Sequence, residues 1–142
     1  MNVLGLNYYF HDSSACIVQD GDLIVAIEEE RLTRQKHTYR FPHKAIKKCM
    51  KVASLAANDI DVIAVSIKPE LDWFKKAKFC VANLPKSLPL IKYELKHNYW
   101  QRNEFKSWLN RTWPDKNKRP ELHFVPNHLN TAVGNIFVPP YG

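Results

Sequence analysis

Three apolar runs near the N-terminus constrain the fold more than any other feature. Val3 to Leu6, Ala15 to Val18 and Leu23 to Ile27 each read as a short strand. Gln19-Asp20-Gly21-Asp22 separates the second run from the third. An Asp-Gly pair between apolar runs is a hairpin signal, because the type I′ two-residue turn needs positive φ at both central positions. The gap between the first and second runs is too short for a helix. Phe41-Pro42 then opens a helix, with proline at or near its first turn. Ala45, Ile46, Cys49, Met50 and Ala53 keep a helical rhythm to about Ala57, leaving Lys44, Lys47, Lys48 and Lys51 outside. Asn58-Asp59 is expected to break it. Ile60 to Ile67 is near-continuously apolar, the pattern of a central strand covered on both faces.

The resulting order is strand-strand-strand-helix-strand. Three meandering strands and a crossover to a fourth open the mixed sheets of actin-like and ribonuclease-H-like α/β folds. A ferredoxin-like or flavodoxin-like domain would place a helix between its first two strands. Further on, Leu71 to Ala82 and Leu90 to about Trp113 look helical, with Pro85 and Pro89 breaking the stretch between them. Lys116 to Pro120 reads as a solvated turn, Leu122 to Val125 as a last strand and Leu129 to Phe137 as a helix. One domain over 1–142 is expected, with a basic helical insertion at about 70–120.

The charge supports that division. Residues 1–69 hold nine Lys/Arg against eight Asp/Glu, whereas 70–120 hold twelve against five. The whole excess of the net +7 therefore lies in the inserted segment. Its Trp73, Phe74, Tyr93, Tyr99, Trp100, Phe105, Trp108 and Trp113 interleave with basic residues, a pattern that can serve nucleic acid or an anionic membrane surface. The spacing of four in Trp100, Glu104 and Trp108 instead suits a helix packed on a sheet, so nucleic acid is not the expected partner. No apolar run approaches the roughly 20 residues of a membrane span, and no signal peptide is legible. A cytoplasmic location is expected. Cys16, Cys49 and Cys80 are odd in number and widely spaced, as reduced core thiols would be.

Chemistry concentrates where the first two strands meet and where the third ends. His11 with Asp12 could act as a proton acceptor and the carboxylate that orients it. The pair could equally close a surface turn, which aspartate favours. In Glu28 to His37, the side chains of Arg31, Arg34 and Lys36 suit a phosphate and ribose, arginine by a bidentate fork and lysine as a point charge. Alternatively these charges pair among themselves in a solvated loop. Asn7 stands where a kinase-type tip would carry a magnesium-linked aspartate, so ATP hydrolysis is not expected.

Taken together, Leu4-Gly5-Leu6-Asn7, His11-Asp12-Ser13-Ser14-Ala15, Asp20-Gly21, Glu28 to Lys36, Phe41-Pro42 and Asp59-Ile60-Asp61-Val62 resemble the N-terminal domain of the O-carbamoyltransferases of nodulation-factor and antibiotic tailoring. The resemblance implies an actin-like domain that receives carbamoyl-adenylate, made elsewhere in the enzyme from carbamoyl phosphate and ATP. The carbamoyl group then passes to a hydroxyl of a small-molecule acceptor. It implies His11 and Asp12 as catalytic residues and Asn7, Arg31, Arg34, Lys36 and His37 as substrate-binding ones. It also implies a divalent metal held by two histidines in an H-x-x-x-H helix, whose positions here carry Asn127 and Thr131. Amide and hydroxyl oxygens are poor substitutes for imidazole toward a transition metal. The nearby His128 and His123 are expected to be satisfied by hydrogen bonds. The chain reads as ending after the first lobe, with the remaining domains supplied in cis or in trans, and as inactive alone. The alternative is a non-catalytic phosphate- or nucleotide-binding module.

Overall fold

The computed structural model describes residues 1–8, 12–66, 78, 81–84, 86 and 88–125. It divides into two compact units, residues 1–68 with 113–142, and residues 69–112. The first unit carries a five-stranded mixed sheet in the order β3-β2-β1-β4-β5. Strands β1 (Asn2–Asn7), β2 (Ser14–Gln19) and β3 (Asp22–Glu28) form an antiparallel meander. Helices α1 (Glu29–Thr33) and α2 (His43–Val52) lead to β4 (Val62–Val65), parallel to β1. The last strand, β5 (Glu121–Phe124), adds parallel to β4. This is the actin-like, ribonuclease-H-like arrangement expected from the strand order.

The Asp-Gly turn forms as its residue types require. Asp20 and Gly21 have φ of 51° and 98°, the positive pair of a two-residue hairpin. Alternation along the strands then selects one face for the core. Leu4, Leu6, Ala15, Ile17, Ile63 and Val65 are buried, while Val3, Gly5, Ser14, Cys16, Val62 and Ala64 are only partly covered. Helix α2 packs on β2 and β3, burying Ala45, Ile46 and Cys49 and exposing Lys44, Lys47, Lys48 and Lys51. Each fully buried Leu or Ile contributes about 1.5–3 kcal/mol.

Two boundaries differ from expectation. Strand β4 occupies only the middle of the apolar run, and its alternating burial shows one face in the core rather than two. The small Ala64 and polar Ser66 on its other face explain the shorter buried pattern. Helix α2 stops at Val52, short of Ala57, because Ser54 turns left-handed at φ 56°. The Leu55 N–H then bonds back to Met50 O at 3.0 Å, closing the helix end. Asn58-Asp59 falls in the following 3-10 turn, Ala57–Asp59, where the Asp59 carboxylate accepts the Ala56 N–H at 2.7 Å.

Gly5 is needed for a close approach: a Cβ there would lie 2.4 Å from Cys16 Sγ. Cys16 and Cys49 are free thiols, and the Cys49 S–H donates to Ala15 O at 3.3 Å. Burial pushes the Cys16 thiol up and the Cys49 thiol up to about 11. Near the sheet's far edge, the buried Trp113 donates its indole N–H to Ala57 O at 3.1 Å.

The second unit is dominated by α3 (Leu88–Thr112), which begins two residues before the expected Leu90. Pro89 sits in its first turn, where a missing N–H costs nothing. Phe105, Trp108 and Leu109 are buried, the Phe105 and Trp108 rings 6.0 Å apart, whereas Trp100 is 43% exposed. Trp100, Glu104 and Trp108 thus do not form one buried row. Among the described residues no helix is long and apolar enough to cross a membrane. The helix expected over 129–137 lies outside the described residues.

Candidate functional site

The carboxylate row after β3 is not a strand end running into a loop. It is a single helical turn, α1, closed by Arg34 at φ 58° with its N–H on Glu30 O at 2.7 Å. The turn gives each of three consecutive glutamates a different direction. Glu28 faces solvent and pairs with Arg31 at 3.1 Å. Glu29 points inward, 4% exposed, and accepts the N–H groups of Lys44 at 3.2 Å and Ala45 at 2.7 Å. It thereby caps α2, whose own N-cap residue, Pro42, makes no side-chain cap bond. Glu30 accepts the His37 N–H at 3.1 Å.

Backbone bonds sew this turn to the tip between β1 and β2. Glu29 N–H donates to Ser13 O at 2.8 Å, while the Ser13 N–H and hydroxyl both donate to Thr38 O, at 3.1 and 3.0 Å. Ser13 and Thr38 are buried, so their preceding residues, Asp12 and His37, are brought face to face. Asp12 Oδ1 lies 3.1 Å from His37 Nδ1. Both residues are left-handed, at φ 55° and 53°.

The expected site residues therefore distribute unevenly. Asn7 ties the tip together: its Oδ1 accepts from Ser66 Oγ at 2.5 Å and its Nδ2 donates to Asp12 O at 3.2 Å. His11 lies outside the described residues. Arg31 is engaged with Glu28 on the surface. Arg34 and Lys36 are exposed and carry no ion pair among the described residues. Asp12 meets His37, a partner 25 residues away, and Glu30 joins them, a residue the sequence reading had not singled out. Neither that convergence nor the Glu29 cap has a local sequence signal, since both depend on the Ser13–Thr38 stitch.

One ligand atom each from Asp12, Glu30 and His37 falls within 4.8 Å of the others, a partly exposed cluster at the surface. Asn127 and Thr131 lie outside the described residues, and their oxygens do not suit the transition metal that an imidazole pair would hold. His123 is on β5, with Nε2 2.9 Å from Glu121 Oε1 at the surface. Beside the tip, on the sheet face away from α2, a cavity of about 350 Å³ is lined at its polar end by Asn7, Ser14 and Ser66. Gly5, Cys16 and Ala64, all small, form its floor.

Comparison with known proteins gives a consistent result. The family model described as the carbamoyltransferase N-terminus matches residues 2–129. The chain is 29% identical to the uncharacterised protein sll1178 of Synechocystis over 145 residues, covering 99% of this chain and 24% of that protein. It is 38% identical to the nodulation protein NolNO of Sinorhizobium fredii over 82 residues, covering 58% of this chain and 11% of that one. A 19.2 kDa protein of Rhizobium etli is 41% identical over 58 residues, 41% of this chain and 34% of its own length. The chain thus spans about a third or less of each of these relatives.

Proposed function

The chain belongs to the carbamoyltransferase N-terminal family, and from that premise we propose that its tip is the adenylate-facing half of a carbamoyl-transfer site. Carbamoyl-adenylate, made from carbamoyl phosphate and ATP by further domains in cis or in trans, would be the donor. A hydroxyl of a small molecule would be the acceptor. A histidine oriented by Asp12 is proposed to serve proton transfer, His11 being the candidate the resemblance implies, and Asn7, Arg31, Arg34, Lys36 and His37 are proposed to contact the adenylate or the acceptor. The observation that carries this reading is the placement of two exposed cations, Arg34 and Lys36, on the loop that also presents His37 to Asp12, with no ion pair to either among the described residues. Exposed cations on the same loop as an imidazole–carboxylate pair suit an anionic donor whose partner must lose a proton. The segment at about 70–120 is proposed as a basic helical insertion of the same N-terminal domain, and the cytoplasm as the chain's location.

Calorimetry with a non-hydrolysable carbamoyl-adenylate analogue tests the proposal on the wild-type chain, His11→Ala and Lys36→Ala. Wild-type protein is expected to bind, and Lys36→Ala to weaken binding at least about tenfold, the scale of one charge-assisted contact. Absence of wild-type binding would overturn the adenylate site. A second reading has one specific support, the amide and hydroxyl at positions 127 and 131. In that reading the domain binds a phosphate or nucleotide without turning it over, and the analogue binds no better than AMP.

A further inference from the structure

We infer that Asp12 prepares the imidazole of His37, a distant partner in sequence, for proton transfer. The inference rests on the transfer reading above and assigns its proton acceptor. His37 is held at three points. Asp12 Oδ1 lies 3.1 Å from its Nδ1, Glu30 accepts its backbone N–H at 3.1 Å, and the carbonyl of the next residue, Thr38, takes two bonds from Ser13. The side chain is nevertheless 80% exposed. A surface histidine with no task has no reason to be fixed in this way, at a left-handed φ of 53° opposite a second left-handed residue.

The chemistry follows from which groups can donate. A carboxylate offers only acceptors, so the hydrogen in the Asp12–His37 bond sits on Nδ1. In the neutral ring, Nε2 then carries the lone pair, pointed away from Asp12. That is the arrangement in which a carboxylate fixes the tautomer of a general base. In the transfer step the acceptor hydroxyl oxygen bonds to the carbamoyl carbon. The bond from that carbon to the phosphate oxygen breaks, its electron pair leaving on AMP. The hydroxyl proton passes to His37 Nε2 and then to solvent. Asp12 positions the ring and does not itself take the proton.

Long-range proton–nitrogen NMR on the full chain, with His37→Gln to assign the signal, reads the tautomer directly. The neutral ring is expected mainly in the Nδ1–H form, and a predominant Nε2–H form would overturn the proposal. Acylation by diethyl pyrocarbonate, mapped by mass spectrometry, reads the free nitrogen. His37 is expected to react at least about tenfold faster than His43 or His123, as an oriented base should. If His11 reacts fastest, the role returns to His11 and the proposal fails. Asp12→Asn, which tolerates the left-handed turn, is expected to restore the Nε2–H form and to remove the rate advantage. Zinc or manganese binding that consumes His37 Nδ1 and is lost in Glu30→Gln would also overturn it, making the trio a cation site. None of these readouts requires the adenylate analogue to bind, so failure of the donor site and failure of this assignment are distinguishable.

Discussion

The two ends of the β1–β2–β3 meander solve the same problem with different means. At the hairpin end, the left-handed residues Asp20 and Gly21 are adjacent, and the nearest tie from elsewhere is to Met1. At the tip the left-handed residues among those described are Asp12, Arg34 and His37. None is glycine; Arg34 closes α1 locally, whereas Asp12 and His37 are placed by bonds that span 25 residues. A non-glycine residue in that region costs roughly 1–2 kcal/mol. The hairpin end places glycine at one of its two left-handed positions. An end that places no glycine there, and holds its left-handed Asp12 and His37 by long-range bonds, is held for the side chains it presents.

If the tip depends on long-range ties, removing the strongest tie should have the largest effect in the unit. Glu29→Ala leaves two amides of the first turn of α2, those of Lys44 and Ala45, without their acceptor. We expect a loss of about 2–3 kcal/mol in urea unfolding, and hydrogen exchange to accelerate at Ser13 and Glu29 more than at the hairpin. A change below about 0.5 kcal/mol would mean that the tip is as locally encoded as the Asp-Gly turn.

Mid-sheet, the distinction between ends should vanish and packing alone should count. Gly5→Ala drives a methyl against Cys16 Sγ and should cost about 1–3 kcal/mol. Adding Cys16→Ala should return most of it, which a double-mutant cycle reads as coupling. The thiols give the same region a pH signature. Both folded-state pKa values are raised by burial, so the folded state holds its protons more tightly than the unfolded chain. Their contribution to stability is full below the unfolded thiol pKa and is lost as pH rises toward about 11, the folded value for Cys49. Alkylation of Cys49 in the native chain should accordingly be slow at pH 8. Fast alkylation would contradict its burial.

At the hairpin end, Gly21→Ala places a Cβ at φ 98° with no neighbour within 4 Å, so the cost is conformational only, about 1 kcal/mol. Hydrogen exchange at Ser13 and Thr38 should not change. Coupled loosening of the tip would show that the two ends are not independent.

This contrast also explains what could be read from the sequence. The hairpin, the α2 face of Ala45, Ile46 and Cys49, and the strand order follow from local residue types and periodicity, and each is where the sequence put it. The end of α2 was not legible, because Ser54 is an unusual residue for a left-handed cap and no glycine marks the position. The turn α1 was not legible either, since five residues are too few to show a helical period. Least legible was the division of labour among Glu28, Glu29 and Glu30. Identical side chains face solvent, the α2 amides and the His37 backbone only because the Ser13–Thr38 stitch orients the turn.

The smallest expected effect on folding is the most telling about the tip. Arg31 pairs with Glu28 at 3.1 Å, but the side chains are 75% and 47% exposed. Such a pair is screened by solvent and contributes less than about 1 kcal/mol. Arg31→Ala should therefore unfold within about 0.5 kcal/mol of wild type, far below Glu29→Ala although only two positions away. If the tip exists for its side chains, the same substitution should weaken the carbamoyl-adenylate analogue at least about tenfold, the scale of a lost guanidinium–phosphate contact. Equal and negligible effects on folding and binding would leave Arg31 a solvated surface charge and confine the anion contact to Arg34 and Lys36. A large effect on folding would instead give Arg31 a structural task, and the tip would then present fewer charges for binding than the contrast with the hairpin end requires.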